Sequence, residues 1–597
     1  MDTVTLSVVR GALEQVANEM DLHFIHSAFS PIISEMNDCA NGIYHPTTAE
    51  TISQGQYGLP VFLANMQLAV RTLIPVVEAA GGWRPGDVWA VNDPYLAGTH
   101  LSDVTMVAPY YRDGKVVALL ASTGHWMDIG GGAAGGWAPQ STNIHQEGIL
   151  IPPMRLVEGG VLNETLTGFI LRNLRLPAEV RGDIAAMQSV FDVGQKRLDT
   201  LYDRYGVEEM ESGIDEMMAR SETLMRSYIA EMPDGDHRFV DYIDNDGHSD
   251  QRLPIELCVT VKGDQLHLNF AGTAPSPKGT LNLPEITTIS VCYVAIKHLF
   301  PEVPVNGGTF RPFTFDIPEG CLLAAEYPKP VGGYLEVSSA VMNVLFGAMA
   351  PALPDRASAA WFGTTGALTF GGTHPETGRY FVSTWIYPGG YGASKAGDGL
   401  VHGTSPLSLA RIMSFELAER RAPIRFKEVA LRENTGGAGW HRGGCGSTYE
   451  IGVWSECSVS ILGDRSEHTP FGIFGGAAGA GNEVGFKTDD RSWTPEMRSK
   501  CQNVTLRPGD QVRASSPGGG GYGDPLDRAL ESVEADLNLG YVSEATAQDV
   551  YGVVVAFKSP IGDRWRYELD KDASRKVRQD RKRQNETKGV NGDGIAH

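Results

Sequence analysis

The sequence predicts an α+β fold in several lobes: an N-terminal α/β part, then β-rich, glycine-rich lobes, then a closing helical pair. Three observations carry this. The chain has 597 residues, too many for one ordinary core. Its first part carries long apolar repeats of helical period, and later parts carry short alternating runs. Its 71 glycines recur in clusters between those runs.

Taken in order, "TLSVVRGALEQVANEMDLHFIHSAF" is an amphipathic helix. Val9, Leu13, Val16, Met20 and Phe24 share one face of a 3.6-residue period. The pattern stops near Ser30-Pro31, because the residue before a proline is pushed out of the helical region. A polar loop, "SEMNDCANGIYHPTT", precedes a second helix, "PVFLANMQLAVRTLIPVVEAA", closed by Gly81-Gly82. "DVWAVNDPYL" reads as a strand, and "TMVAPYYRDGKVVALLASTGHW" as a hairpin turning at Asp113-Gly114. That hairpin brings Asp103, before its first arm, beside His125, after its second. From "STNIHQEGILIPP" to about Met232 the chain reads as helical. "IELCVTVKGDQLHLNFAG" is another hairpin, a mixed stretch covers 285–425, and short strands fill 426–516. "ALESVEADLNLGYVSEATAQDVYGVVV" gives the helical pair. The resulting parts are 1–235, 236–425 and 426–572, with 573–597 a charged tail expected to be disordered.

Hydrophobic residues make up 42% and charged residues 20%, the balance of a folded soluble protein. The net charge of −22, without a basic stripe, argues against nucleic acid as a partner. Seven scattered cysteines with no CxxC pair resemble reduced thiols. No leader pattern and no run near ~18 apolar residues is visible, so a cytoplasmic location and no membrane span are expected.

The stretch "NDPYLAGTHLSD" (Asn92 to Asp103) and "HWMDIGG" (from His125) concentrate histidine and aspartate in loops. Two imidazoles and a carboxylate, His100, His125 and Asp103, suit a divalent transition ion such as zinc, manganese or iron. Asp38, in its own polar loop, is a candidate fourth ligand through oxygen. Asp128 and Asp93 are candidates to orient a histidine through its free N–H. The competing reading makes all of these ordinary turn residues. Glu147 and His145, in "HQEG", are candidate acid–base groups, or residues that simply start a helix; Asp128 is grouped with them as a catalytic candidate. Cys39 lacks a visible base and reads as a buried thiol. His402, Glu336, Tyr387 and Tyr391 either line a cleft or anchor small-residue loops. The clusters "ENTGGAGWHRGGCG" and "SSPGGGGYGDP" lack the G-x₄-G-K-[ST] arrangement of a phosphate loop, so no ATP site is expected here. Tight turns at positive φ explain them more simply, with a substrate lid as the rival.

Six segments in order, "NDPYLAGTHLSDVTMVAP", "HWMDIGG", "STNIHQEGILIPP", "RENTGGAGWHRGGCG", "FGIFGGAAG" and "SPGGGGYGDP", together resemble the hydantoinase B family. That family is the second component of ATP-dependent hydantoinases, 5-oxoprolinases, caprolactamase-like lactamases, and acetone and acetophenone carboxylases. The resemblance implies a partner of hydantoinase A type that holds the ATP site and phosphorylates a carbonyl or enol oxygen. It also places the family's metal positions on Asp38, His100, Asp103 and His125.

Against the hydantoinase and oxoprolinase pattern this chain departs at three places. It has His125-Trp126 where those carry paired histidines, Phe62 where they carry a histidine, and "EMNDCANGIY" where they carry an "ERxDFSCALFD"-like stretch. Fewer polar groups disfavour activation of water, and a drier cleft suits an enolate that must meet CO₂ before a proton. The sequence reading is therefore carboxylation of a ketone of the acetone or acetophenone type. Its rivals are ATP-dependent hydrolysis of a cyclic amide (hydantoin, 5-oxoproline or lactam) and a non-catalytic scaffold for the kinase-like subunit.

Overall fold

The computed structural model describes residues 1–408, 410–562 and 564–589. Helix α1 (Thr3–Ser27) is capped by Asp2, whose carboxylate accepts from the Val4 and Thr5 amides. Its five-residue repeat is buried, with no member above 4% exposed. Pro31 opens a single turn, α2 (Pro31–Ser34). Strands β1 (Cys39–Tyr44) and β2 (Thr51–Gln54) lead to α3 (Phe62–Ala79), which closes on Gly81 and Gly82, both at positive φ.

Next come β3 (Val88–Val91), α4 (Pro94–Ala97), β4 (Asp103–Arg112) and β5 (Lys115–His125). The expected hairpin is present, with Asp113 and Gly114 in its turn at φ 50° and 76°. A second hairpin, β6 (Met154–Glu158) and β7 (Val161–Leu162), replaces the helix expected directly after Pro153. Gly159 and Gly160, both at positive φ, form its turn; the alternation in "MRLV" is too short to separate strand from helix by period. The expected helical run follows as α5 (Glu164–Arg172), α6 (Pro177–Tyr205) and α7 (Val207–Ala230).

The seven strands form one antiparallel sheet in the order β2-β1-β5-β4-β3-β6-β7. Helices cover both faces. Val104, Met106, Ala108 and Leu120 join the core built with α1 and α6. Val107, Leu119 and Ala121 join the core built with α3, α8 (Glu285–Leu299) and α9 (Tyr334–Met349). Alternate residues of one strand thus enter opposite cores, which is why the hairpin reads as almost continuously apolar.

The remaining sheets are smaller. One holds the expected hairpin, Leu253–Lys262 with Gln265–Asn269. Another pairs Ala367–Thr373 and Tyr380–Ile386 with Cys457–Leu462 and Lys500–Leu506, so a single sheet spans position 425. The closing helical pair is Leu530–Leu539 and Glu544–Asp549. The expectation of disorder from 573 is corrected: Lys571–Gly589 is a helix, and 590–597 lie outside the described residues. Two of its polar residues, Ser574 and Arg578, are buried against backbone. The Arg578 guanidinium donates to the Tyr551 and Arg528 carbonyls, and the Ser574 hydroxyl accepts from the Val554 amide. Among the described residues, no helix is long and apolar enough to cross a membrane.

The glycine clusters correct a second expectation. Among the glycines of 435–446, 472–481 and 515–525, only Gly475 and Gly523 have positive φ, with Phe474 beside Gly475 at φ 52°. The others are glycine because backbones touch. A Cβ on Gly518, Gly519, Gly520 or Gly521 would lie 1.8–2.2 Å from the carbonyl oxygens of Thr435, Tyr391, Phe471 and Ala438 respectively. The four amides donate to Ala480, Gly444, Ala360 and Ala477, so this segment is hydrogen-bonded outward in several directions. It is a packed core, with neither the mobility of a lid nor free amides for phosphate. Gly520→Ala should therefore destabilise by about 3 kcal/mol or more through overpacking. Gly11→Ala, on the exposed side of α1 with nothing within 4 Å, should stabilise by roughly 0.5–1 kcal/mol. Thermal unfolding of the two variants should shift in opposite directions.

Candidate metal centre

Three adjacent strands deliver the site. In the β4–β5 ladder Asp103 pairs directly with His125. On the other side of β5, Gly124 pairs with Cys39, and the His125 amide donates to the Asp38 carbonyl at 3.1 Å. Asp38, His125 and Asp103 therefore form a row across one end of the sheet. His100 completes it from the turn before β4, where the Asp103 amide donates to the His100 carbonyl at 3.2 Å.

That turn is held tightly. Asp93 caps α4 by accepting from the Tyr95 amide at 3.0 Å. The Asn92 side chain donates to the Leu101 and Ile149 carbonyls and accepts from the Ile151 amide. Gly98 sits at φ 62°, where a Cβ would lie 2.3 Å from Asn65 Oδ1. Thr99 follows at φ 97°, an unusual conformation for a β-branched residue, with its amide bonded to Thr287 Oγ1.

The side chains converge. One ligand atom from each of His100, Asp103 and His125 lies within 4.8 Å of the other two. His125 Nδ1 is 3.1 Å from Asp103 Oδ1 and 3.2 Å from His100 Nε2, and His100 Nε2 is 3.4 Å from Asp103 Oδ2. Asp38 stands at the rim, its Oδ2 3.9 Å from His125 Nδ1. Neither carboxylate has a lysine or arginine ion pair among the described residues. Two imidazoles and two buried carboxylates without a fixed cation are the donor set that a divalent transition ion satisfies, so the residues fit such an ion. Burial raises the Asp103 carboxyl, but both imidazoles outweigh it and hold the group well below its usual range. Burial pushes Asp38 up to about 7, with His125 opposing and Asp103 adding to the rise.

Two residues overlooked in the sequence wall the cluster. The Tyr334 ring lies 4.8 Å from the His100 ring, and its hydroxyl is 3.3 Å from Asp103 Oδ2. Trp137 stacks against His125 at 6.4 Å and tilts 5.5 Å from His100. Tyr334 opens α9, remote in sequence from the paired strands, and Trp137 follows the glycine-rich turn after β5; nothing in their spacing announces them.

Other candidates are engaged elsewhere. Asp128 accepts from the Arg175 guanidinium, the Arg175 amide and the Gly130 amide. His145 is exposed and bonds the Tyr327 hydroxyl. Glu147 is buried, and its carboxylate accepts from Thr280, Val331 and Gly332; burial pushes it up to about 7 against those donors. Glu336 accepts from Thr364, Thr365 and Gly366. His402 faces the Tyr449 hydroxyl, Tyr387 bonds Asn482, and Tyr391 donates to the Thr404 carbonyl. Burial raises the Cys39 thiol well above its ordinary value, as a structural thiol requires. Trp126, one residue past His125, points into the opposite core with α1 and α6. Phe62 is buried in the other core at the start of α3.

A covered antiparallel sheet thus carries at one end a His₂Asp cluster with the donor set of a divalent-metal site. The chain belongs to the hydantoinase B/oxoprolinase family, whose model matches residues 2–525. It is 31% identical over 579 residues to the caprolactamase subunit beta of Pseudomonas jessenii, covering 93% of this chain and 96% of that one. The crystal structure of the ATP-dependent caprolactamase from that organism superposes with a TM-score of 0.86 at 29% identity, over 97% of this chain and 100% of that one. The nucleotide-free structure of an acetone carboxylase superposes with a TM-score of 0.88 at 18% identity, over 100% of this chain and 84% of that one, a likeness of fold.

Asp103→Asn and His125→Ala should each weaken divalent-metal retention by at least ~10-fold, since each removes a donor that the others cannot replace. Metal content after dialysis, measured beside thermal stability, checks this.

Proposed function

We propose that this chain is the metal-bearing subunit of an ATP-dependent enzyme that opens a cyclic amide. The carrying observation is the buried His100–Asp103–His125 set, rimmed by Asp38, in a chain whose full-length relative is named a caprolactamase subunit. The name of that relative, subunit beta, supports a second subunit here as well. No phosphate loop occurs in this sequence, and the glycine clusters pack against backbone. ATP use is therefore assigned to a hydantoinase A-type partner, and a cytoplasmic location is part of the same reading.

The chemistry divides naturally. An amide carbonyl is a poor electrophile near neutral pH. Transfer of the ATP γ-phosphoryl group to the amide oxygen activates the ring carbon. Water then adds to that carbon and the C–N bond breaks, leaving a free amine and an acyl phosphate. A second water releases phosphate, so two waters are consumed and the products are the ring-opened amino or carbamoylamino acid, ADP and phosphate. An ion of zinc, manganese or iron, when bound, would supply Lewis acidity. His100, His125, Asp103 and Asp38 would hold it, and the Trp137 and Tyr334 rings pack against the histidines and keep them in place.

Ketone carboxylation is kept as the second reading, because the fold likeness to acetone carboxylase covers the whole chain. The residues that favoured it in the sequence weigh less now: Trp126 lies on the far side of the sheet, and Phe62 is a core residue of α3.

With copurified partner, ATP, a divalent metal salt and labelled bicarbonate, phosphate release with lactams or hydantoins and no fixed label is expected. Acid-stable label fixed with a ketone would establish the carboxylase instead. Full activity of His125→Ala in an intact complex would leave only the scaffold reading.

A further inference from the structure

We propose that Tyr334 is a positioning residue that fixes the carboxylate of Asp103, and that Glu147 sets Tyr334 by locking the turn in front of α9. This inference rests on the metal reading of the His–Asp cluster.

A carboxylate on a short side chain rotates easily about its last torsion, which is broad and roughly two-fold. At Asp103 that rotation is stopped from two sides. Oδ1 faces His125 at 3.1 Å, and Oδ2 receives the Tyr334 hydroxyl at 3.3 Å. The phenol is 3% exposed, so no solvent competes for the bond.

Tyr334 is the first residue of α9, and its place depends on residues 330–333. The Glu147 carboxylate accepts from the Val331 and Gly332 amides, each at 2.9 Å, and from the Thr280 hydroxyl. Thr280 in turn accepts the Gly333 amide at its hydroxyl (3.0 Å) and at its carbonyl (3.1 Å). The contact is close: a Cβ on Gly332 would lie 2.9 Å from Glu147 Oε1, so a larger residue there would displace the carboxylate. Three donors therefore converge on Glu147, and all of them lead to the turn that presents Tyr334. A group so engaged is a brace, and this is the role assigned to it in place of acid–base catalysis.

The test titrates the metal-free full-length chain with Co²⁺ and follows affinity and the visible absorption band. Wild type should bind with a defined band. Tyr334→Phe should bind roughly 10–100-fold more weakly, the range for loss of an outer partner of a metal ligand. Its band should shift while its thermal midpoint stays near wild type. Glu147→Gln should move both readings in the same direction, and the double variant should fall short of the sum of the singles, as residues of one chain of contacts do. If Glu147→Gln fails to fold, Thr280→Val, which removes one donor and leaves the carboxylate, should give a smaller shift of the same sign. Tyr327→Phe, whose hydroxyl serves exposed His145, is the control and should match wild type. Wild-type affinity and band in Tyr334→Phe would overturn the positioning role and leave the metal centre standing. Absence of Co²⁺ binding by wild type would overturn the metal reading itself.

Discussion

The pairing of Asp103 with His125 across the β4–β5 ladder is the constraint on which the site depends. A hairpin whose faces enter different cores cannot slip by one residue, because every side chain would change sides. The cores therefore set the register, and the register sets the cluster. Asp38 joins because β1 pairs with β5 in the same frame. His100 needs a separate device, the strained turn at Gly98 and Thr99 pinned by Asn65, Asn92 and Thr287.

Burial makes this arrangement costly without a cation. Two carboxylates and two imidazoles are withdrawn from water, and no arginine or lysine offsets them among the described residues. Two other buried acids have a cation within the chain, while Glu147 and Glu336 are held by amides and hydroxyls alone. Asp464 is paired with Lys500 at 2.7 Å, and Asp536 with Arg528 at 2.8 Å. Those pairs are local, one across neighbouring strands and one within a short stretch of chain, whereas the His–Asp cluster has no such cation among the described residues.

Much of this was legible in the sequence, and the gaps have physical causes. Helical period exposed the buried face of α1, and a two-residue turn signal was enough to set Asp103 beside His125. Local pattern fails where contact is remote. Tyr334 reaches Asp103 across 231 residues, and Trp137 reaches the histidines from a glycine-rich loop. The parity of a strand could have warned that Trp126 faces away from its neighbour His125, but only with both cores known. Glu147 stood in the sequence as a candidate acid–base group or a helix-start residue; its hydrogen-bond partners lie 133 to 185 residues away, beyond the reach of local pattern. The tail was misread because arginine and serine were taken as groups for solvent, whereas Arg578 and Ser574 are spent on buried backbone.

The glycine core has a thermal consequence. Apolar packing owes much of its strength to water and weakens on cooling. The layer around 517–523 contributes few side chains and many amide hydrogen bonds. Exposing peptide groups lowers the heat capacity, where exposing apolar surface raises it. This lobe therefore keeps its grip as temperature falls, while the cores flanking the β4–β5 sheet loosen first. Cold would act on the two halves of the molecule unequally, and the end that carries the histidines is the one it would soften.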